Sequence, residues 1–202
     1  MVGPSDALYN PNYNRGIEAN DTPHRLVIGH LWDLPFGVGK AHMSQGIAAR
    51  VFGGWQFSGI TVLQAGRPIL ITAPQNTQVP DFNYTNGRAN RLHSGVISNP
   101  TLQHWFDTSA FVAAPRYTFP NDSLSQPDLR TPWTNAWNWS FFKNNYIKER
   151  YNVQFRAEFY NIFNHPQFDC RAACADVPSQ TFGQITEGGA NRQIQFGIRV
   201  LF

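Results

Sequence analysis

The chain is short of charge. Lys, Arg, Asp and Glu together make up 14% of its 202 residues, against about 25% in an ordinary soluble chain. The formal charge is only +3 and no Lys/Arg cluster occurs, so there is no electrostatic footprint for nucleic acid. No apolar run approaches the roughly 18 residues of a membrane helix. The opening residues, MVGPSDALYNPNYNRG, have no basic start and no apolar h-region. An export signal, if there is one, is expected upstream of them. Cysteine is scarce too. Cys170 and Cys174 sit in DCRAAC, too few ligands for zinc. They form a short-loop disulfide in an oxidising compartment, or remain two loop thiols. HExxH and GxSxG are absent, and the histidines are scattered at 24, 30, 42, 93, 104 and 165. FGVGK lacks the spacing of a phosphate loop, so Gly37 and Gly39 are expected to shape a turn. No enzyme activity, metal or cofactor is expected, and no internal repeat is found.

Aromatics are plentiful at 14%, with 16 Gly and 14 Pro. Large flat side chains with frequent turn residues predict β-structure with long loops. Five segments alternate with period two, the main signal for strands. They are Arg25 to Leu34, Trp55 to Ile71, Ala136 to Ile147, Tyr151 to Asn164, and the terminal RQIQFGIRVLF from Arg192 to Phe202. In the fourth, Tyr151, Val153, Phe155, Ala157, Phe159 and Phe163 oppose Asn152, Gln154, Arg156, Glu158 and Tyr160. In the fifth, Ile194, Phe196, Ile198, Val200 and Phe202 oppose Gln193, Gln195, Gly197, Arg199 and Leu201. The third and fourth are expected to form a hairpin with a tight turn at residues 148–150. The 36–54 link has room for a short helix around Met43 to Arg50. Residues 72–135 and 165–191 read as long loops, and 1–23 as an irregular segment.

Alternation alone does not separate a soluble sheet with one wet face from a membrane barrel. Three features favour the barrel. The apolar faces are aromatic, as in outer-membrane strands with girdles at both interfaces, where Tyr151 and Trp137 fit. Charges avoid those faces: Arg156, Glu158 and Arg199 lie on the polar side. A Lys or Arg at mid-bilayer on the lipid side costs about 2–4 kcal/mol. Lys143 is the exception, placed near the turn where its stem can snorkel. Finally, loop lengths sort by side. With Phe202 at the periplasmic end, 165–191 and 72–135 are outer loops and 148–150 is a periplasmic turn, although 36–54 is long for its side.

The residues also resemble a known family. HRLVIGHLWDLPFGVGK (His24–Lys40), GGWQFSGITVLQAGRPI (Gly53–Ile69), FDTSAF (Phe106–Phe111), LRTPWTNAWNWSFFKN (Leu129–Asn144), VQFRAEFYNIFNHPQF (Val153–Phe168), FGQIT (Phe182–Thr186) and RQIQFGIRVLF resemble, in order, the C-terminal part of TonB-dependent outer-membrane receptors. The likeness is to the Oar-like, Acidobacteria-type subgroup. Asn138 stands where that group usually has Asp, and the cysteine insert is unusual. The resemblance implies a 22-stranded barrel with an N-terminal plug, which admits a scarce ligand when energised through TonB. It implies Phe196, Ile198, Val200 and Phe202 as the signal read by the barrel-assembly machinery. Gln154, Arg156, Glu158, Gln193, Gln195 and Arg199 are then expected to face the lumen, with Glu158 across from or diagonal to Arg199.

The fold expected is all-β: an antiparallel up-and-down meander of about five long strands, the C-terminal part of a transmembrane barrel over residues 24–202. Its partners would be outer-membrane lipid, the assembly machinery, the rest of the receptor, and TonB only through the N-terminal part. Such an open sheet leaves two edges in lipid, at several kcal/mol per unpaired backbone group. The chain is therefore expected to be a fragment or truncated product that does not transport alone. The alternative is a soluble β-sandwich module that binds carbohydrate or peptide with surface aromatics. Trp105, Phe106 and Trp133 in the long loop would either bind such a ligand or pack the loop.

Overall fold

The computed structural model describes residues 15–74, 87–116, 118, 120–123, 125–147, 151–189 and 191–202. Two compact units are drawn from these. One comes from Met1–Pro23, Ala65–Trp133 and Phe168–Gly189, the other from His24–Gln64, Thr134–Gln167 and Ala190–Phe202.

The second unit is one antiparallel sheet. Its strands are β1 (Arg25–Asp33), β2 (Trp55–Gln64), β6 (Thr134–Ile147), β7 (Tyr151–Tyr160) and β10 (Gln193–Leu201), in the order β1-β2-β6-β7-β10. Each strand pairs with the next long strand along the chain, so the sheet is a meander with β1 and β10 as its edges. Ile147 pairs with Tyr151, so β6 and β7 form the expected hairpin; its turn at 148–150 lies outside the described residues.

Two strands are shorter than their sequence pattern suggests. β2 stops at Gln64 instead of running to Ile71. At Gly66 the backbone passes so close to Thr131 that a Cβ would lie 1.7 Å from the Thr131 carbonyl oxygen. Pro68 then removes a backbone donor. β7 stops at Tyr160 instead of Asn164. Asn161 and Asn164 adopt φ of 52° and 54°, which asparagine tolerates better than most residues. Their side chains hold the turn. The Asn161 carbonyl oxygen Oδ1 accepts from His165 N–H at 3.0 Å, and Asn164 Oδ1 accepts from Arg192 N–H at 2.9 Å. Asn138 Oδ1 accepts from Asn161 N–H at 3.0 Å, an acceptor role open to Asn as well as Asp. In the 36–54 link the helix spans Gly46–Phe52, slightly later than expected. Gly37 and Gly39 have φ of 106° and 77°, as a turn requires.

The first unit gathers the long loops. It contains β3 (Thr72–Ala73), β4 (Gly87–Arg91) and β5 (Phe111–Ala113) in a small sheet, and β8 (Phe168–Asp169) paired with β9 (Glu187–Gly188). Its core is built on Ile69, Ile71, Ala89, Phe106, Phe111, Leu129 and Ile185 with both cysteines. The sheet unit is different. Among its described residues, buried apolar side chains amount to Ala49 and Ala157, and its large apolar groups are mostly half-buried on the central strands and exposed on β1 and β10.

Gly59 is the tightest point of the sheet. A Cβ there would meet His30 Nε2 at 2.5 Å and Trp139 Cδ1 at 2.9 Å. Gly59→Val is expected to lose about 1–3 kcal/mol of stability by overpacking. Adding His30→Ala should recover part of that loss, because the two positions share one space. Denaturant midpoints of the wild type, the two single variants Gly59→Val and His30→Ala, and the double variant in detergent check this; an unchanged midpoint in Gly59→Val would contradict it.

Candidate functional site

The register sorts the side chains of the sheet into two faces. Antiparallel partners point the same way, so rows can be read across all five strands. One row runs Trp32, Phe57, Phe141, Ala157, Phe196; the next runs His30, Gly59, Trp139, Phe159, Ile194. Between them on the other face runs Leu31, Ser58, Ser140, Glu158, Gln195.

The first face is a lattice of rings. Phe57 packs against Phe141 at 5.0 Å and edge-on to Trp139 at 5.3 Å. Phe163 sits edge-on to both Trp137 and Trp139 at 5.5 Å. Phe155 stacks on Phe196 at 6.2 Å. Such pairs add about 0.5–1.5 kcal/mol each beyond area burial. Phe196, Ile198 and Val200 lie on this side; they are 67%, 74% and 54% exposed, and Phe202, just past the strand, is 93% exposed.

The second face is polar over β6, β7 and β10. Asn144 Oδ1 accepts from Asn152 Nδ2 at 3.2 Å and from Gln154 Nε2 at 3.0 Å. The Arg156 guanidinium lies 4.9 Å from the Phe142 ring centroid and pairs with Glu158 at 3.2 Å. Gln154, Arg156, Glu158, Gln193, Gln195 and Arg199 share this face. The expected contact between Glu158 and Arg199 is not formed. Arg199 stands opposite Gln154 and Glu158 opposite Gln195, with the Arg156–Gly197 pair between them on the same face, so they are beyond a direct or diagonal contact. Toward β1 and β2 the face turns apolar, with Val27, Leu31 and Ile60 exposed.

Lys143 is the only charged residue on the ring-bearing face among the described positions of the sheet. Its ammonium donates to the carbonyl oxygens of Arg50, Val51 and Gly53 at 2.8, 3.0 and 2.7 Å. These are the free carbonyls at the C-terminal end of the short helix, where a cation is favoured. Trp55 Nε1 donates to the Val51 carbonyl at 3.1 Å. The lysine placed near the turn thus has three carbonyl acceptors for its ammonium.

The model of the outer membrane beta barrel domain family matches residues 2–195. The chain belongs to the outer membrane beta barrel domain family. No curated protein and no solved structure matches it at a significant level. The meander expected from the sequence is the fold of this domain, and the family places it in the outer membrane. The five long strands form an open sheet. A soluble sandwich is not favoured, since the family is an outer-membrane barrel domain.

The loop unit of this outer-membrane domain holds the remaining candidate residues. Cys170 and Cys174 form a disulfide and are buried in the core. Phe106 is fully buried, edge-on to Phe111 and Phe182, so it packs the loop. Trp105 packs against the core and donates from Nε1 to the Arg130 carbonyl at 2.8 Å. Trp133 is 62% exposed. Beside the disulfide lies a cavity of about 320 Å³, lined by Arg67, Thr72, Thr131, Asp169 and Arg171 among others. Asp169 pairs with Arg67 at 3.1 Å and also with Arg171, which leaves one cation in excess in this group. Sequence reading missed the cavity because Arg67 and Asp169 lie 102 residues apart.

A second polar cluster ties the loop unit together. Arg91 makes a two-pronged contact with Asp128, at 2.9 and 2.5 Å, and donates to Gln126 Oε1 at 2.8 Å. Gln126 is fully buried and donates to Asp122 at 2.5 Å. The hydrogen bonds from Arg91 hold the Asp128 carboxyl below the usual carboxylate range, while burial pushes Asp122 up.

Two outcomes test these arrangements. Lys143→Met is expected to speed amide exchange over residues 50–54 and leave exchange in β6 and β7 unchanged. Exchange there at the wild-type rate would mean that the lysine does not hold the helix end. Asp128 adds stability that is complete above its unfolded value of about 3.9 and lost as pH falls through its lower folded value. The melting-temperature gap between wild type and Asp128→Asn should therefore be widest near neutral pH and close below pH of about 4. A gap that persists at low pH would contradict it.

Proposed function

We propose that this domain is part of the barrel of a TonB-dependent outer-membrane receptor, which takes up a scarce ligand with energy supplied from the inner membrane. The aromatic face meets lipid, and the face with Gln154, Arg156, Glu158, Gln193, Gln195 and Arg199 lines the lumen. Its work is passage and not catalysis. The observation that carries this is the placement of apolar mass. The sheet leaves its large apolar side chains mostly half-buried, or exposed on the edge strands β1 and β10, while fully buried apolar groups concentrate in the loop unit. A water-soluble sheet would do the reverse, because exposing Phe196, Ile198 and Val200 forgoes about 1.5–3 kcal/mol per side chain.

In this reading Phe196, Ile198, Val200 and Phe202 are recognised by the barrel-assembly machinery. Phe202 marks the periplasmic end. Arg25, Gln64, Thr134, Tyr160 and Gln193 are then the strand ends on the outer side. An open sheet of five strands must be joined by further strands before it encloses a lumen.

The purified 202-residue chain, reconstituted in liposomes, is expected to give no steady conductance. Stable channels formed by it alone would contradict the need for further strands. The native gene product, extracted from outer membranes, should capture the periplasmic domain of TonB. A protein that fails to bind that domain and conducts constitutively is a passive pore, which would overturn the receptor reading.

A further inference from the structure

We infer that the 36–54 link carries an interfacial anchor: the helix Gly46–Phe52 lies in the headgroup region of the adjacent membrane leaflet, with its apolar side chains among phospholipid acyl chains. Ile47 is 82% exposed and Val38 83%, and Met43, Val51 and Phe52 are each about half exposed. Ile47 and Val51 are one turn apart and share a side of the helix. So many exposed large apolar groups in so short a link mark a surface that something covers.

Two observations point to lipid as the cover. The first is continuity. The two side chains that hold the helix end, Lys143 and Trp55, both project from the ring-bearing face, where they pair across β2 and β6. The helix is therefore fixed on that side of the sheet and extends its apolar surface. The second is the level at which it sits. Trp32, Trp55 and Tyr151 lie on the same face toward this end, and aromatics collect at the membrane–water boundary. Arg50 in the last helical turn and Lys40 in the preceding turn supply cations for phosphate headgroups, as in other helices that lie in the interface. Lys143 suits the boundary because its charge has three carbonyl partners and needs no water.

The inference rests on the lipid-facing reading of the ring-bearing face and is independent of the transport reading. The test places the photo-crosslinker p-benzoylphenylalanine at Ile47, Val51, Phe196 or Gln195 of the full-length gene product. Isolated outer membranes are then photolysed. Adducts of phospholipid mass are expected at Ile47, Val51 and Phe196 in comparable yield, and none at Gln195. Lipid adducts at Phe196 with protein adducts at Ile47 and Val51 would overturn the anchor and identify a second copy or a periplasmic protein as the cover. Lipid adducts at Phe196 with no adduct at Ile47 and Val51 would mean that the helix faces water, and would also overturn it. Absence of lipid adducts at Phe196 would overturn the reading of the sheet and, with it, the anchor.

Discussion

Backbone polar groups must find partners wherever the chain meets hydrocarbon, and each one left unpaired there costs several kcal/mol. The sheet is organised around that constraint. Every long strand pairs with its sequence neighbour in a continuous register from Arg25 to Leu201. Pairing settles the interior strands and leaves only the outer edges of β1 and β10 open. The same pairing fixes the faces, because a one-residue slip would exchange rings for amides across a whole strand. The edges are where closure has to occur.

The two units differ in how they are stabilised. The loop unit is an ordinary core with Phe106 at its centre, clamped by a disulfide and by the Arg91–Asp128 ion pair. The sheet unit has little core of its own. Its rings pack sideways along the surface, and the solvent they meet completes the packing. Water is a poor solvent for such a face and lipid a good one.

Much of this was legible in the sequence, and the reasons are local. Period-two alternation in YNVQFRAEFY and RQIQFGIRVL placed each residue on its face, because a strand leaves no other geometry. The hairpin followed from two strand patterns separated by three residues. The strand ends were harder to read. Ile69 and Ile71 alternate like strand residues, yet they serve the core of the loop unit, because Gly66 passes against Thr131 far along the chain. The register of β10 on β7 was also invisible, so Glu158 was matched to Arg199 when Arg156 is its partner. The loops looked unstructured because their core is assembled from residues in three separate segments. Lys143 looked like a misplaced charge until the helix carbonyls appeared beside it.

The claim that one face meets lipid and the other water is tested most directly by a nitroxide scan along β10. Labels placed singly from Gln193 to Leu201 in the membrane-embedded protein report access to oxygen and to a polar nickel chelate. The account predicts an alternation of period two, with oxygen favoured at Ile194, Phe196, Ile198 and Val200 and the chelate at Gln193, Gln195 and Arg199. Uniform access along the strand, or the opposite alternation, would contradict it.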